Sequence, residues 1–170
     1  MEPRIWSMIR HWSFDKDGTL TDVHEYWACV IQARAEALDS HFHEFQVGLP
    51  ALIRVMGIDP SLRRIVPPGP IGYGSREDVI AAVAQYLEVE HGVPATEVSE
   101  AAAALFTELD AHTHSKLKDW VQLIPGTATA LKRLRDQGMS LSIVTGDRTE
   151  LAKESMSPRK VRRTHYWRIW

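Results

Sequence analysis

The segment Ser13-Phe14-Asp15-Lys16-Asp17-Gly18-Thr19-Leu20-Thr21-Asp22 constrains this chain more than any other, because acidic side chains, a glycine and hydroxyls converge there straight after an apolar stretch. Residues 8–14 read as a strand, and Gly18 permits a sharp backbone turn after it. Asp15 and Asp17, two apart on an extended chain, then project from the strand's carboxyl end. That is where open α/β sheets place their chemistry. Two carboxylates so placed can divide a phosphoryl transfer, one attacking phosphorus and the other moving a proton to the leaving oxygen. A hard cation such as Mg²⁺ would offset their repulsion. Asp-Lys-Asp-Gly also has the composition of a plain polar turn. A calcium loop fits badly: with Asp17-Gly18 in register, Ser13 and His24 occupy the two end positions, where an EF-hand needs aspartate and glutamate.

With 170 residues and 44% hydrophobic content, the chain can bury a real core as one domain, or as a small domain carrying an insertion. A net charge of -2 gives no global field to recruit nucleic acid or acidic membranes. Cys29 is the sole cysteine, which excludes an intramolecular disulfide and a cysteine-rich metal site. A cytoplasmic location is therefore expected. The run Ile5-Trp6-Ser7-Met8-Ile9 is too short for a signal peptide, and no run reaches membrane-spanning length. Residues 1–7 carry no motif. The strand that follows them is more polar at Arg10, His11 and Ser13 than a strand buried on both faces should be.

From Asp22 the pattern turns helical. Trp27, Ile31, Ala35, Leu38, Phe42 and Phe45 recur at steps of three and four, predicting one long helix with an apolar stripe. Thr21 or Asp22 is placed to cap it. His24, Tyr26 and Trp27 lie near its start, where they could face a substrate, but Tyr26 and Trp27 are expected in the core and His24 at the surface. A short helix is predicted over 50–57, and the turn-rich stretch 58–74 reads as a connector. Ser75-Arg76-Glu77-Asp78 resembles a capping box with Asp in the Glu position, and Val79, Ile80, Val83 and Leu87 form the inward face of its helix. Gly92 and Pro94 end that helix. Val98, Ala102, Leu105 and Leu109 continue in another as far as about His112. Residues 22–118 thus read as an all-helical insert without strands. The pairs His41/His43 and His112/His114 are two apart, so on a helix they face different sides and make poor metal ligands.

A second informative segment begins at Leu123-Ile124-Pro125-Gly126. It leads into a helix with Ala130, Leu131 and Leu134 inward and Lys132, Arg133 and Arg135 near its C-terminal end, where they suit the dipole. Gly138 terminates it. Residues 139–144 form a strand that stops at Thr145-Gly146-Asp147, before a further helix from about Thr149. A hydroxyl at a strand's end beside a helix N-terminus is a good phosphate donor.

Asp15-Lys16-Asp17-Gly18-Thr19 after an apolar strand resembles the first motif of the haloacid dehalogenase superfamily of phosphohydrolases. The strand ending in Thr145, preceded by a Pro-Gly turn, a helix and a glycine, is similar to its second motif. The resemblance covers most of residues 8–156, and the position of the helical insert is similar to that in phosphoglycolate-phosphatase-type members. It implies a Rossmann-like α/β core from residues 8–21 and 119–156 with a helical cap over 22–118. It implies Asp15 as nucleophile and first metal ligand, and Asp17 as general acid/base that also binds metal through its backbone carbonyl. Gly18, Thr19, Thr145 and Gly146 would bind phosphate, with Mg²⁺ as cofactor and a small phosphorylated metabolite as substrate. A phosphotransferase or mutase would use the same two aspartates, and a non-catalytic binding or regulatory module could keep only the cap and a phosphate-binding remnant.

The superfamily's third motif, a lysine, and its fourth, a set of acids at another strand end, have no convincing match. Lys153 sits too close behind Thr145, and Lys160 lacks the strand context. Residues 157–170 hold five basic residues with interleaved aromatics and no clean period. Such a tail can bind single-stranded nucleic acid by charge and stacking, although nucleic acid is not the expected partner. The expectation is a core that is incomplete at its C-terminal side, with weak activity at this length. A homodimer or another partner completing the core is part of that expectation.

Overall fold

In the computed structural model of the protein, the residues described are 9–146, 156 and 168–169. The chain divides into two compact units, one drawn from Met1–Val23 and Leu117–Trp170 and the other from His24–Lys116.

The first unit is a small parallel sheet. Strand β1 (His11–Asp15) pairs in parallel with β4 (Ser140–Val144), and β5 (Arg168–Ile169) pairs in parallel with β4, giving the order β1-β4-β5. Along β1 the residues alternate: His11, Ser13 and Asp15 are exposed, while Trp12 and Phe14 are partly buried. The polar residues that fit a fully buried strand so poorly have partners on the neighbouring strand. His11 Nε2 and Ser13 Oγ each lie 2.9 Å from the hydroxyl of Ser142, which is buried. Left unpaired, a buried hydroxyl costs about 1–3 kcal/mol. Helix α5 (Thr127–Asp136) precedes β4 and buries Leu131 with Leu20, Ile143 and Met156, while Phe14, Leu123 and Leu141 pack around them. Of the other residues expected inward on α5, Ala130 is exposed and Leu134 only half-buried. The helix expected from about Thr149, and Lys153 and Lys160, lie outside the described residues. β5 falls in the stretch that showed no period, and two residues are too few to show one.

The second unit is mainly helical. Helix α1 (Val23–His41) buries Ala28, Ile31, Ala35 and Leu38. The chain leaves α-geometry at Phe42 and makes a 3₁₀ turn, His43–Phe45, closed by Gln46 in the left-handed region, so the apolar stripe stops short of Phe45, which is exposed. Helix α2 (Leu49–Val55) follows. The segment expected to lack strands then holds a short antiparallel pair, β2 (Ile58–Asp59) with β3 (Arg64–Ile65). The Asp59 carboxylate accepts the amides of Leu62 and Ser61, both at 2.8 Å, which hold it below the usual carboxylate range. Gly57 and Gly69 cross so closely that a Cβ on Gly69 would lie 2.5 Å from the Gly57 Cα.

Helix α3 (Arg76–His91) starts at the expected capping box. The Ser75 hydroxyl accepts from the Asp78 amide, and the Asp78 carboxylate accepts from the Ser75 amide at 2.7 Å. Gly92, in the left-handed region, closes its C-terminal end. Helix α4 (Ala95–Trp120) runs well past His112, since no glycine or proline interrupts it. It buries Val98, Ala102 and Phe106. Arg34 of α1, itself buried, lays its guanidinium 4.6 Å over the Phe106 ring and donates to Asp110 at 3.1 Å. Arg76 reaches the same carboxylate at 3.3 Å.

Candidate active site

β1 ends at Asp15, which lies in register with Val144 of β4. Paired strands run about 4.8 Å apart, so Thr145 and Gly146, next along the chain, emerge at the same end of the sheet as Lys16 and Asp17. Asp15 and Gly146 are exposed and Thr145 is half-buried. The pairing therefore gathers Asp15, Asp17, Gly18, Thr19, Thr145 and Gly146 at one sheet end, although the two groups are far apart in sequence.

The chain turns tightly after Asp15. The carbonyl of Lys16 accepts from the amides of Leu20 at 2.9 Å, Thr21 at 3.0 Å and Thr19 at 3.4 Å, and from the Thr21 hydroxyl at 3.1 Å. The Gly18 amide donates to the Thr21 carbonyl at 2.9 Å. Gly18 sits at φ +78°, which a residue with a Cβ adopts only with strain. The turn is pinned from behind: the Ile124 amide donates to Leu20 O, and the Asp22 amide to Gln122 O. Thr21 was a candidate cap for α1, but its hydroxyl points back into this turn, donating to Lys16 O and to Asp17 Oδ1, both at 3.1 Å.

Two side chains that the motif alone did not single out shape the site. Lys16, between the aspartates, is only 4% exposed, and its ammonium lies 2.7 Å from Asp17 Oδ1. Thr21, also buried, donates to the same oxygen. Asp17 is thus held at Oδ1 by two donors. The available signal was the charge of Lys16, set in a two-aspartate turn where its stem could fold inward.

Among the described residues, no three or more His, Cys, Asp or Glu side chains gather to hold a metal ion. A smaller donor set exists. Mg²⁺ is commonly held by one or two carboxylates, with water and phosphate oxygens filling the remaining positions. The Asp15 carboxylate and the Asp17 main-chain carbonyl suit that habit. The turn's amides are directed at Lys16 O and Thr21 O and do not consume the Asp17 carbonyl. The residues present therefore fit a cation completed by substrate and water oxygens.

In the helical unit, His24 is half-buried and its Nδ1 accepts from the Ile65 amide at 3.2 Å. Trp27 packs against the helical core, and Tyr26 meets it edge-on at 5.3 Å. Arg63 clasps Glu25 with Nη2 at 2.8 Å and Nε at 3.1 Å. Burial, followed by the nearby Glu25 charge, pushes the Cys29 thiol above its ordinary range. This thiol lacks the thiolate character of a nucleophile. No helix among the described residues is long and apolar enough to cross a membrane.

The sequence model of the haloacid dehalogenase-like hydrolases matches residues 9–158. No curated protein is significantly similar in sequence. Among solved structures, a HAD family hydrolase from Deinococcus radiodurans R1 with bound phosphate and sodium is 19% identical, with a TM-score of 0.49 over 95% of this chain and 58% of that one. A predicted phosphoglycolate phosphatase from Haemophilus somnus 129PT is 16% identical, with a TM-score of 0.44 over 84% of this chain and 53% of that one. A hydrolase from Pseudomonas syringae is 13% identical, with a TM-score of 0.39 over 94% and 61%. The chain spans less than two thirds of the length of each of these proteins.

Proposed function

Because the chain belongs to the haloacid dehalogenase-like hydrolases, we propose that it is a phosphatase-type hydrolase acting on a small phosphorylated metabolite, with Asp15 as nucleophile and Asp17 as general acid and base. The observation that carries this reading is the register of β1 and β4, which sets Asp15 opposite Val144 and so brings Thr145 to the same sheet end.

In the proposed reaction an Asp15 carboxylate oxygen forms a bond to phosphorus as the phosphorus–oxygen bond to the leaving group breaks, giving an aspartyl-phosphate. Asp17 gives its proton to the leaving oxygen. Water then attacks the aspartyl-phosphate, Asp17 takes the water's proton, and phosphate leaves with Asp15 restored. Both donors on Asp17 meet Oδ1, so proton transfer falls to Oδ2. The Thr145 hydroxyl and the Gly146 amide would bind the phosphoryl oxygens. Mg²⁺, held by Asp15 and the Asp17 carbonyl, would supply positive charge for the anionic substrate.

Positioned charge provides most of the catalysis in such transfers. The superfamily's distal lysine and acids are not recognisable in this sequence, so turnover by this chain is expected to be well below that of a relative with all four motifs. The test is hydrolysis of p-nitrophenyl phosphate with and without Mg²⁺, by the wild type and Asp15→Asn. Slow, Mg²⁺-dependent release lost in the variant is the expected result. Release that survives the substitution removes Asp15 from the mechanism, whereas fast release that the substitution abolishes overturns only the low turnover.

A further inference from the structure

We propose that Lys16 is a built-in counter-cation of the aspartate pair, a positioning residue that sets Asp17 in place and reduces the negative charge an incoming phosphate or divalent cation meets. The inference rests on the phosphoryl-transfer reading above.

Three observations support it. The Lys16 side chain is buried, although lysine is among the residues least often buried unless paired. Its ammonium meets Asp17 Oδ1 at 2.7 Å, and the buried Thr21 hydroxyl meets the same oxygen at 3.1 Å. The Lys16 backbone carbonyl is also the acceptor around which the turn closes. The residue that folds the turn therefore also delivers a cation into it. A lysine stem is flexible and its rotamer freedom is costly to lose, but here the ammonium is anchored by a carboxylate next to it in sequence.

The consequences follow from charge. The ammonium on Asp17 offsets one of the two formal negative charges that Asp15 and Asp17 bring to this turn, so a phosphate can approach with less repulsion before any metal binds. The same positive charge repels a divalent cation placed on the Asp15 carboxylate and the Asp17 main-chain carbonyl. Lys16 should therefore favour phosphate alone and disfavour Mg²⁺ alone. A purely structural lysine would not act in opposite directions, since its loss would weaken both ligands together.

The experiment measures binding of inorganic phosphate without metal, and of Mg²⁺ without phosphate, by calorimetry on the full chain. It compares the wild type, Lys16→Met, Lys16→Arg and Thr145→Ala, with Lys16→Gln replacing the Met variant if that fails to fold. Removing the ammonium should weaken phosphate by about tenfold and tighten Mg²⁺ by a similar factor, a size consistent with one unit charge at a few ångströms in a partly screened site. Arginine should keep both within about threefold of the wild type. If Lys16→Met weakens both ligands, or leaves both unchanged while Thr145→Ala still weakens phosphate, the Lys16 proposal falls and the phosphate site stands. If the wild type binds no phosphate with or without Mg²⁺, the phosphoryl-transfer reading falls and takes the proposal with it.

Discussion

The helical unit and the sheet unit hold their shapes by different means. The helical unit closes on an unbroken apolar core running from Ala28 on α1 to Phe106 on α4, and its buried charge, Arg34, is paired with Asp110 and stacked on Phe106. Among the described residues, the sheet unit has a buried cluster of Leu20, Leu131, Ile143 and Met156, with hydrogen bonds fixing the turn and the strands beside it. Ser142 is satisfied by His11 and Ser13, and the turn after β1 gathers its donors on Lys16 O. The contrast separates two kinds of consequence. Damage to the helical unit should appear first as lost stability, and damage to the turn first as lost ligand binding.

The largest expected effect is Phe106→Ala. Phe106 is fully buried, so the substitution removes a large ring and leaves a cavity, costing about 3–5 kcal/mol. Urea denaturation followed by far-UV circular dichroism should show that loss. The comparison breaks if Leu131→Ala, in the sheet unit's buried cluster, costs more.

Gly69→Ala should come next, at about 1–3 kcal/mol, because the new methyl meets the Gly57 backbone and can be accommodated only by shifting main chain. Thermal unfolding of the variant measures it, and an unchanged midpoint would mean that the Gly57 and Gly69 segments leave room for a methyl group between them.

The smallest effect concerns the α3 cap. The Ser75 amide, then its hydroxyl, hold the Asp78 carboxyl below the usual range. A depressed folded pKa gives stability that is present above the unfolded carboxylate value and is lost as pH falls through the folded one. The wild-type Tm should therefore drop more between neutral pH and acid than that of Asp78→Asn. Equal drops would show that this carboxylate contributes nothing pH-dependent to the helical unit.

What could be read from the sequence followed the length and regularity of each signal. The α1 stripe through Leu38, the Ser75 and Asp78 cap and the strand ending at Val144 were legible because periodicity or a fixed offset marks them. The β2–β3 pair was not, since two-residue strands show no alternation and Asp59 stabilises their turn with its own side chain. The end of α1 was misjudged at Phe45 because an apolar residue at helical spacing looks the same whether or not the helix has already stopped. At the proposed site, the motif put Asp15 and Asp17 after a strand, and the order of the elements put Thr145 after another that pairs with it in parallel. The inward fold of Lys16 and the return of the Thr21 hydroxyl depend on the turn's three-dimensional closure, which no spacing rule encodes.

The central claim is that the Asp15 carboxylate and the Thr145 hydroxyl serve one anion. A crystal structure of the chain soaked with tungstate tests it most directly. The account predicts the ion at the carboxyl end of β1 and β4, with Thr145 Oγ1 within about 3 Å of one of its oxygens and Asp15 facing the tungsten atom. Tungstate bound elsewhere, with that sheet end empty and the two side chains turned away from each other, would contradict it.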